Sequence, residues 1–207
     1  MTSKERRERE REETREKFLA SARELFATQG YEAVKMRDVA ERIQYTATAI
    51  YKHFADKEAL LRELCDLDFR ALRDAFERIA HVADPVERLR ELGMAYVEFA
   101  RTHPNHYKLL FMGHKPPDAT KHSKIEHGNP DQDAYAFLKG TVAACIAAER
   151  FREEFTDADL VAQAMWSGVH GLVSLTMVHE NNDWIDWRPV ETTARVVIDL
   201  QLRGLLR

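Results

Sequence analysis

The sequence predicts an all-α fold, and three observations carry that prediction. Apolar residues recur every three to four positions in nearly every segment, no run alternates apolar and polar with period two, and Gly and Pro number only 8 and 6 in 207 residues. With 44% apolar and 32% charged residues the chain can bury one large or two small cores, and wholesale disorder is excluded.

Residues 4 to 17, KERREREREETREK, alternate charge so densely that they read as a solvated helical extension, with pairs such as Glu5 to Arg9 and Glu13 to Lys17. An apolar face then begins at Phe18, Leu19, Ala22, Leu25 and Phe26. Gly30 followed by Tyr31 predicts a left-handed stop with its hydrophobic contact, so the first helix ends near Gln29.

Lys35 to Lys57, KMRDVAERIQYTATAIYKHFADK, is the stretch whose spacing suggests chemistry as well as folding. Val39, Ala40, Ile43 and Tyr45, then Ala49, Ile50 and Phe54, form two apolar clusters separated by a small polar break, which predicts helix, tight turn, helix. Thr46 stands where its hydroxyl can cap a second helix beginning at Ala47, exposing Ala47, Thr48, Tyr51, Lys52 and His53. Small residues at the front of such a helix admit it to the DNA major groove, where hydroxyls and cations reach bases and phosphates. An ordinary helical hairpin is the plainer alternative. Asp56 reads as the cap of the following helix, and Lys57 in that helix's first turn opposes the macrodipole unless an anion docks there. The predicted core of this three-helix head is Phe18, Ala22, Leu25, Phe26, Val39, Ile43, Ile50 and Phe54.

Leu60, Leu64, Leu67, Ala71 and Ala75 mark a long helix to about Ala80, leaving the head as a rigid rod. Asp84 and Pro85 restart a helix at Val86 that runs to about Thr102, and Pro104 opens a short piece ended by Gly113. Residues 114 to 130 break all periodicity and predict a disordered loop. Asn129, Pro130 and Gln132 read as cap, first-turn proline and capping-box partner of a helix fading after Phe151. Thr156 caps the next helix, which is apolar on nearly all sides from Leu160 to Val178, with Ser167, Gly168 and Gly171 permitting close approach of another helix. The last helix begins between Trp187 and Val190. Surplus apolar surface on these two helices predicts a homodimer built as a four-helix bundle.

The formal charge of −4 argues against a polyanion partner only if read globally. Residues 1 to 57 hold 13 Lys/Arg against 11 Asp/Glu, and the remainder 18 against 24. Electrostatics therefore permits DNA binding at the N-terminal part without demanding it. Cys65 and Cys145 lack CxxC spacing, which fits packing residues in a reducing cytosol. The N-terminus has no apolar signal region, and the polar interruptions of 160 to 178 favour a buried helix over a membrane span.

The chain carries no phosphate-binding glycine loop, GxSxG elbow, HExxH or isolated carboxylate pair, so no enzyme is expected. His103, His106, His114, His122 and His127 raise a metal-responsive alternative, but their spacing matches no compact zinc signature; no metal and no cofactor are expected. Phe99, Tyr107, Phe111, Trp166, His170 and Met177 could line a small-molecule pocket as a set, an aromatic core being the alternative for each. His170 reads as a ligand or cross-dimer partner, or as a satisfied core histidine. A helical scaffold that merely dimerises accounts for everything except Thr46 to Lys57.

With these parts in order, the chain resembles the TetR/AcrR family of transcriptional regulators: a capped three-helix head, the string IYKHFADKEALL, then a long helical body. The strings MWSGVHGLVSL, with Trp166, His170 and Gly171, and THPNHYKLLFM are similar to a subgroup whose C-terminal domain carries Trp followed by His-Gly. The resemblance implies a helix-turn-helix DNA-binding domain over 1–56 and an effector-binding and dimerisation domain over 57–207. It also implies a homodimer on a palindromic operator, usually a repressor, released by a small apolar molecule. By position, Arg37 matches a base or phosphate contact, Thr46, Thr48, Tyr51, Lys52 and His53 match recognition-helix contacts, and Lys57 matches a phosphate-binding lysine. Three residues depart from the family pattern. Lys35 stands where Thr or Ser commonly caps, Gln44 replaces a turn glycine, and Thr48 replaces a frequent glycine.

Overall fold

A computed structural model describes residues 2–113, 123–179 and 184–207. It is all-α, and the only pairing of extended backbone among the described residues is an isolated bridge between Phe151 and Leu206. The helices are α1 (Ser3–Gln29), α2 (Met36–Arg42), α3 (Ala47–Ile50), α4 (Lys57–Glu77), α5 (Pro85–Thr102), α6 (Pro104–Tyr107), α7 (Ala134–Ala147), α8 (Ala158–Val178) and α9 (Val190–Leu205). A π-helical turn, Lys108–Met112, continues α6. Contacts divide the chain into two compact units, Met1–Asp68 with Pro104–Lys124, and Phe69–His103 with Ile125–Arg207.

In the first unit, Phe18, Ala22, Leu25 and Phe26 of α1 close over Val39, Ile50 and Phe54 as predicted, while Ile43 is only partly buried at the edge. The same core takes in Val34, Met36, Leu60, Leu61, Leu64 and Leu109. The first turns of α4 and the π-helical turn are therefore part of the head's packing. Gly30 ends α1 at φ 82° and ψ 154°, with its N–H donating to the Phe26 carbonyl. This is not the left-handed helical conformation expected but a region open essentially to glycine alone. The expected hydrophobic contact is present, the Phe26 and Tyr31 rings lying 5.4 Å apart.

The end of α2 explains how a turn without glycine forms. Gln44 N–H donates to the Glu41 carbonyl and Tyr45 N–H to the Ala40 carbonyl, the paired bonds of a Schellman stop, with Gln44 at φ 62°. Tyr45 secures the stop by packing edge-on against Phe18, centroids 5.4 Å apart. A side chain in this conformation costs on the order of 1 kcal/mol relative to glycine. Gln44→Gly is therefore expected to stabilise the protein by about 1 kcal/mol, read as a higher urea midpoint; an unchanged or lowered midpoint would refute the strain. Glu149, at φ 52°, ends α7 through the same pair of bonds, Glu149 N–H to Ile146 and Arg150 N–H to Cys145.

In the second unit, α5, α7, α8 and α9 pack together. The side chain of Asp84 caps α5 by accepting from Val86 and Glu87 N–H, with Pro85 in the first turn as expected. Two expected caps are corrected. Asp133, not Asn129, caps α7 through Tyr135 and Ala136 N–H, because Asn129 instead accepts from Asp131 N–H in a turn of its own. Asp157, not Thr156, caps α8 through Asp159 and Leu160 N–H. The rod expected to reach Ala80 ends at Glu77, where the chain turns. Gly93 lets α5 meet α9: a Cβ there would lie 2.7 Å from the fully buried Ile198. Gly168 faces the Gln201 side chain of α9, whereas Gly171 faces open space.

Of the loop expected over 114 to 130, residues 114 to 122, with His114 and His122, lie outside the described residues. Ser123 and Lys124 are held by the buried Asp66, whose carboxylate accepts from the Ser123 hydroxyl at 2.7 Å and from Lys124 N–H at 2.8 Å.

Candidate nucleic-acid interface

The sequence that makes α3 short also makes it presentable. Ile50 and Phe54 are buried, so they anchor one side of the turn and leave Thr46, Thr48, Tyr51 and Lys52 exposed on the other. Helical bonds run from Ala49 N–H to Thr46 O at 2.9 Å and from Phe54 N–H to Ile50 O at 3.0 Å, carrying the coil to His53 beyond the α3 boundary. Thr46 occupies the cap position with extended backbone, but its hydroxyl makes no capping bond, contrary to expectation. That hydroxyl is exposed and not committed to the cap. Ala47 is half-buried and adds no bulk to the front of the helix.

His53 is half-buried, its ring 5.4 Å from Phe18. Burial, reinforced by the nearby cations Arg11, Arg15 and Lys52 and opposed by Glu12, holds its imidazole below the ordinary value and favours the neutral ring. Arg37 is exposed on α2 and donates to Glu41 at 2.6 Å. Lys35 supplies no side-chain cap, since an ammonium has no acceptor, but its backbone N–H donates to the Asp38 carboxylate at 2.8 Å and half of a capping box remains.

Lys57 has partners within the fold. Its ammonium donates to the Tyr31 carbonyl at 2.8 Å and the Val34 carbonyl at 3.0 Å, and lies 4.1 Å from the Tyr31 ring centroid. These carbonyls offset the unfavourable start-of-helix position that the sequence makes conspicuous. An ammonium has three protons, and the two carbonyls take two of them.

One ion pair is not foreshadowed by any motif. Asp68 of α4 is fully buried and accepts from Arg23 of α1 at 2.7 to 3.2 Å, while His106 Nδ1 of α6 lies 3.1 Å away. Its one signal in the sequence is an acid four residues after Leu64, on the apolar face of its helix. Arg15 likewise pairs with Glu63 and places its guanidinium 4.8 Å above the Phe54 ring.

The six residues considered for an effector site divide between the units. Tyr107 and Phe111 belong to the first, with ring centroids 5.1 Å apart; Phe99, Trp166, His170 and Met177 belong to the second. Phe99 is buried and stacks on His103. His170 Nδ1 lies 2.9 Å from the Tyr96 hydroxyl and Nε2 3.4 Å from the Ser174 hydroxyl, and the ring meets Trp166 edge-on at 5.9 Å. Burial lowers the His170 pKa. Burial also pushes the Cys145 thiol up to about 11, which keeps it unreactive at neutral pH. Among the described residues, no three His, Cys, Asp or Glu side chains come together to hold a metal ion, and no helix is long and apolar enough to cross a membrane.

Comparison with known proteins bears on the same two regions. Residues 18–64 match the description "Bacterial regulatory proteins, tetR family", and residues 89–200, which contain Trp166, His170 and Gly171, match "Tetracyclin repressor-like, C-terminal domain". The chain is 36% identical over 93 residues to the HTH-type transcriptional repressor KstR2 of Mycobacterium tuberculosis, covering 43% of this chain and 45% of that protein. It is 30% identical over 105 residues to the HTH-type transcriptional activator FasR of Mycolicibacterium smegmatis, covering 49% and 47%. The chain spans about half the length of the curated relatives it matches. Among solved structures it is similar to the TetR-family regulator PfmR of Thermus thermophilus (26% identity, 92% of this chain and 99% of that one, TM-score 0.71). The structure of the ketosteroid transcriptional regulator KstR2 of Mycobacterium tuberculosis shares the fold (21%, 94% and 95%, 0.68). A head that presents the short helix α3, a helical body, and matches to both family descriptions together make this chain a member of the TetR family of bacterial regulatory proteins.

Proposed function

We propose that the protein is a cytoplasmic, homodimeric transcriptional regulator that binds a palindromic operator and is released from it by a small apolar molecule. Exposed Thr46, Thr48, Tyr51 and Lys52 on a turn whose other side is sealed by Ile50 and Phe54 is the observation that carries this reading. Hydroxyl, phenol and ammonium groups at that spacing match base edges and phosphates. Arg37 and the remaining proton of Lys57 add backbone contacts, and His53 acts as the packed support of the helix. In functional terms residues 1–56 are the DNA-binding part, and 57–207 are the effector-binding and dimerisation part. Repression is the favoured sense, as in the repressor KstR2, with activation, as in FasR, the alternative.

Two features support dimerisation through α8 and α9. Leu160, Leu175 and Val178 on α8 and Val196 and Leu200 on α9 are all between 53 and 66% exposed, and Gly171 leaves open space within that α8 stripe. For the effector we favour an apolar molecule bordered by Phe99, Trp166, His170 and Met177 in the second unit. A relative that is a ketosteroid regulator makes an apolar ligand the class to screen first. Release requires that the effector bind better to a state whose head spacing no longer fits DNA.

The test is fluorescence anisotropy with duplex DNA taken from immediately upstream of the chain's own coding sequence. Native protein is expected to bind with steep salt dependence, and Lys52→Ala to lower the slope of log K against log salt by about 1 per lysine removed. A scaffold would bind no DNA; a Lys52→Ala protein that binds like the native one would remove α3 from the interface.

A further inference from the structure

The N-terminal extension looks like an evenly mixed charge run, but the helix sorts it. At about 100° per residue, Lys4, Arg7 and Arg11 of α1 all fall within about 60° of the direction of Phe18, and the nearest glutamates, Glu8 and Glu10, lie about 80° away. Phe18 points at the helix-turn-helix, its ring 5.4 Å from both Tyr45 and His53. Arg15, one turn before Phe18, is already turned inward over Phe54. The face that is apolar from Phe18 onward is therefore continued toward the N-terminus as a file of cations.

The ion pairs confirm the sorting. Arg6 pairs with Glu10 at 3.5 Å and Arg9 with Glu13 at 2.9 Å on the other sides of the helix. Lys4, Arg7 and Arg11 form no ion pair or side-chain hydrogen bond among the described residues, and all three are exposed. Thr2 caps the helix at its start, accepting from Glu5 N–H at 3.3 Å while its own N–H donates to Glu5 at 2.7 Å. A capped helix at 1.5 Å per residue sets Lys4 about 21 Å before Phe18. Arg11, together with Lys52, is close enough to His53 to act on it. The cationic file thus begins near His53, the chain neighbour of the exposed Lys52, and runs outward along α1.

We propose that Lys4, Arg7 and Arg11 form a rigid strap that grips the phosphate backbone flanking the bases read by α3. The inference rests on the DNA-binding reading above and extends the interface beyond the helix-turn-helix. The partner is duplex DNA because the file is regular, unpaired and reaches His53, the chain neighbour of the exposed Lys52. Phosphate contacts of this kind add affinity and salt dependence with no sequence preference.

The test compares two triple variants of equal charge, K4A/R7A/R11A on the strap and R6A/R9A/K17A off it, on the same upstream duplex. Alanine keeps helix propensity high, and circular dichroism verifies that the extension persists. The strap variant is expected to lower the salt slope by about 2 or more and to shorten the hydroxyl-radical footprint at its outer edges, while the other variant keeps the native footprint. Equal losses in both variants, or a native slope and footprint in the strap variant, would overturn the strap and leave DNA binding intact. Native protein that binds no duplex would overturn both readings.

Discussion

Asp68→Ala is expected to destabilise the first unit by about 3 to 5 kcal/mol, the range for removing one partner of a buried ion pair. The Asp68 side chain is 1% exposed and that of Arg23 17%, so neither charge can recover its hydration when the other is lost. The carboxylate accepts three contacts from Arg23 within 3.2 Å, and His106 Nδ1 lies 3.1 Å from it. Removing it strands a guanidinium against α4 and unfastens α1, α4 and α6 together. A domain holds only about 5 to 15 kcal/mol in total, so the head should unfold near physiological temperature and DNA binding should go with it. Asp68→Asn, which keeps the shape, is expected to cost less, and R23M/D68L less than either single change, since a buried pair can be exchanged for apolar groups at little cost. Urea denaturation of the four proteins checks this ordering; a double variant as damaged as Asp68→Ala would show that shape, not charge, sets the loss.

That pair also marks where the sequence stops being readable. Local chemistry was legible: Asp84 with Pro85, Asp56 before Lys57, and Gly30 before Tyr31 each announce a helix end, because a cap involves residues within one turn of each other. Where two local signals compete, spacing alone does not choose between them. Asn129 and Asp133 both offer a side-chain acceptor, and only the fold shows that Asn129 is committed to Asp131 N–H and that Asp133 begins α7. Contacts far apart along the chain, such as Arg23 to Asp68 or Lys57 to the Tyr31 and Val34 carbonyls, leave little local trace.

The candidate interface follows the same division. Thr46, Thr48, Tyr51 and Lys52 are exposed because Ile50 and Phe54 carry the apolar period, and that period is written in the sequence. His53 matches a contact position by spacing, yet the structure turns its ring onto Phe18, a tertiary contact that spacing does not encode. Spacing places Lys57 for an anion alone; two backbone carbonyls and an aromatic face already hold it. In the body, His170 has a hydroxyl beside each ring nitrogen, Tyr96 on one side and Ser174 on the other, and only Ser174 could be foreseen from the four-residue spacing along α8.

Among variants whose subunits stay folded, the largest effect on DNA binding is expected from the second unit, not from α3. L175R/L200R places charges on the two exposed apolar stripes of α8 and α9 without touching the buried Val173, Ile198 and Leu202 that hold the second unit together. The subunit should therefore stay folded while an apolar interface becomes costly to bury. If the dimer forms there, sedimentation will show a monomer, and affinity for the upstream duplex will fall by about 100-fold or more. The reason is geometric: two heads joined through α8 and α9 would engage the proposed palindrome with the second contact made at high effective concentration, whereas a single head would bind unaided. Lys52→Ala leaves both heads in place and weakens each, so its effect should be smaller and should diminish at high salt, while that of the monomer persists. A variant that remains dimeric, or a monomer that binds as tightly as the native protein, would place the coupling of the two heads somewhere other than these helices.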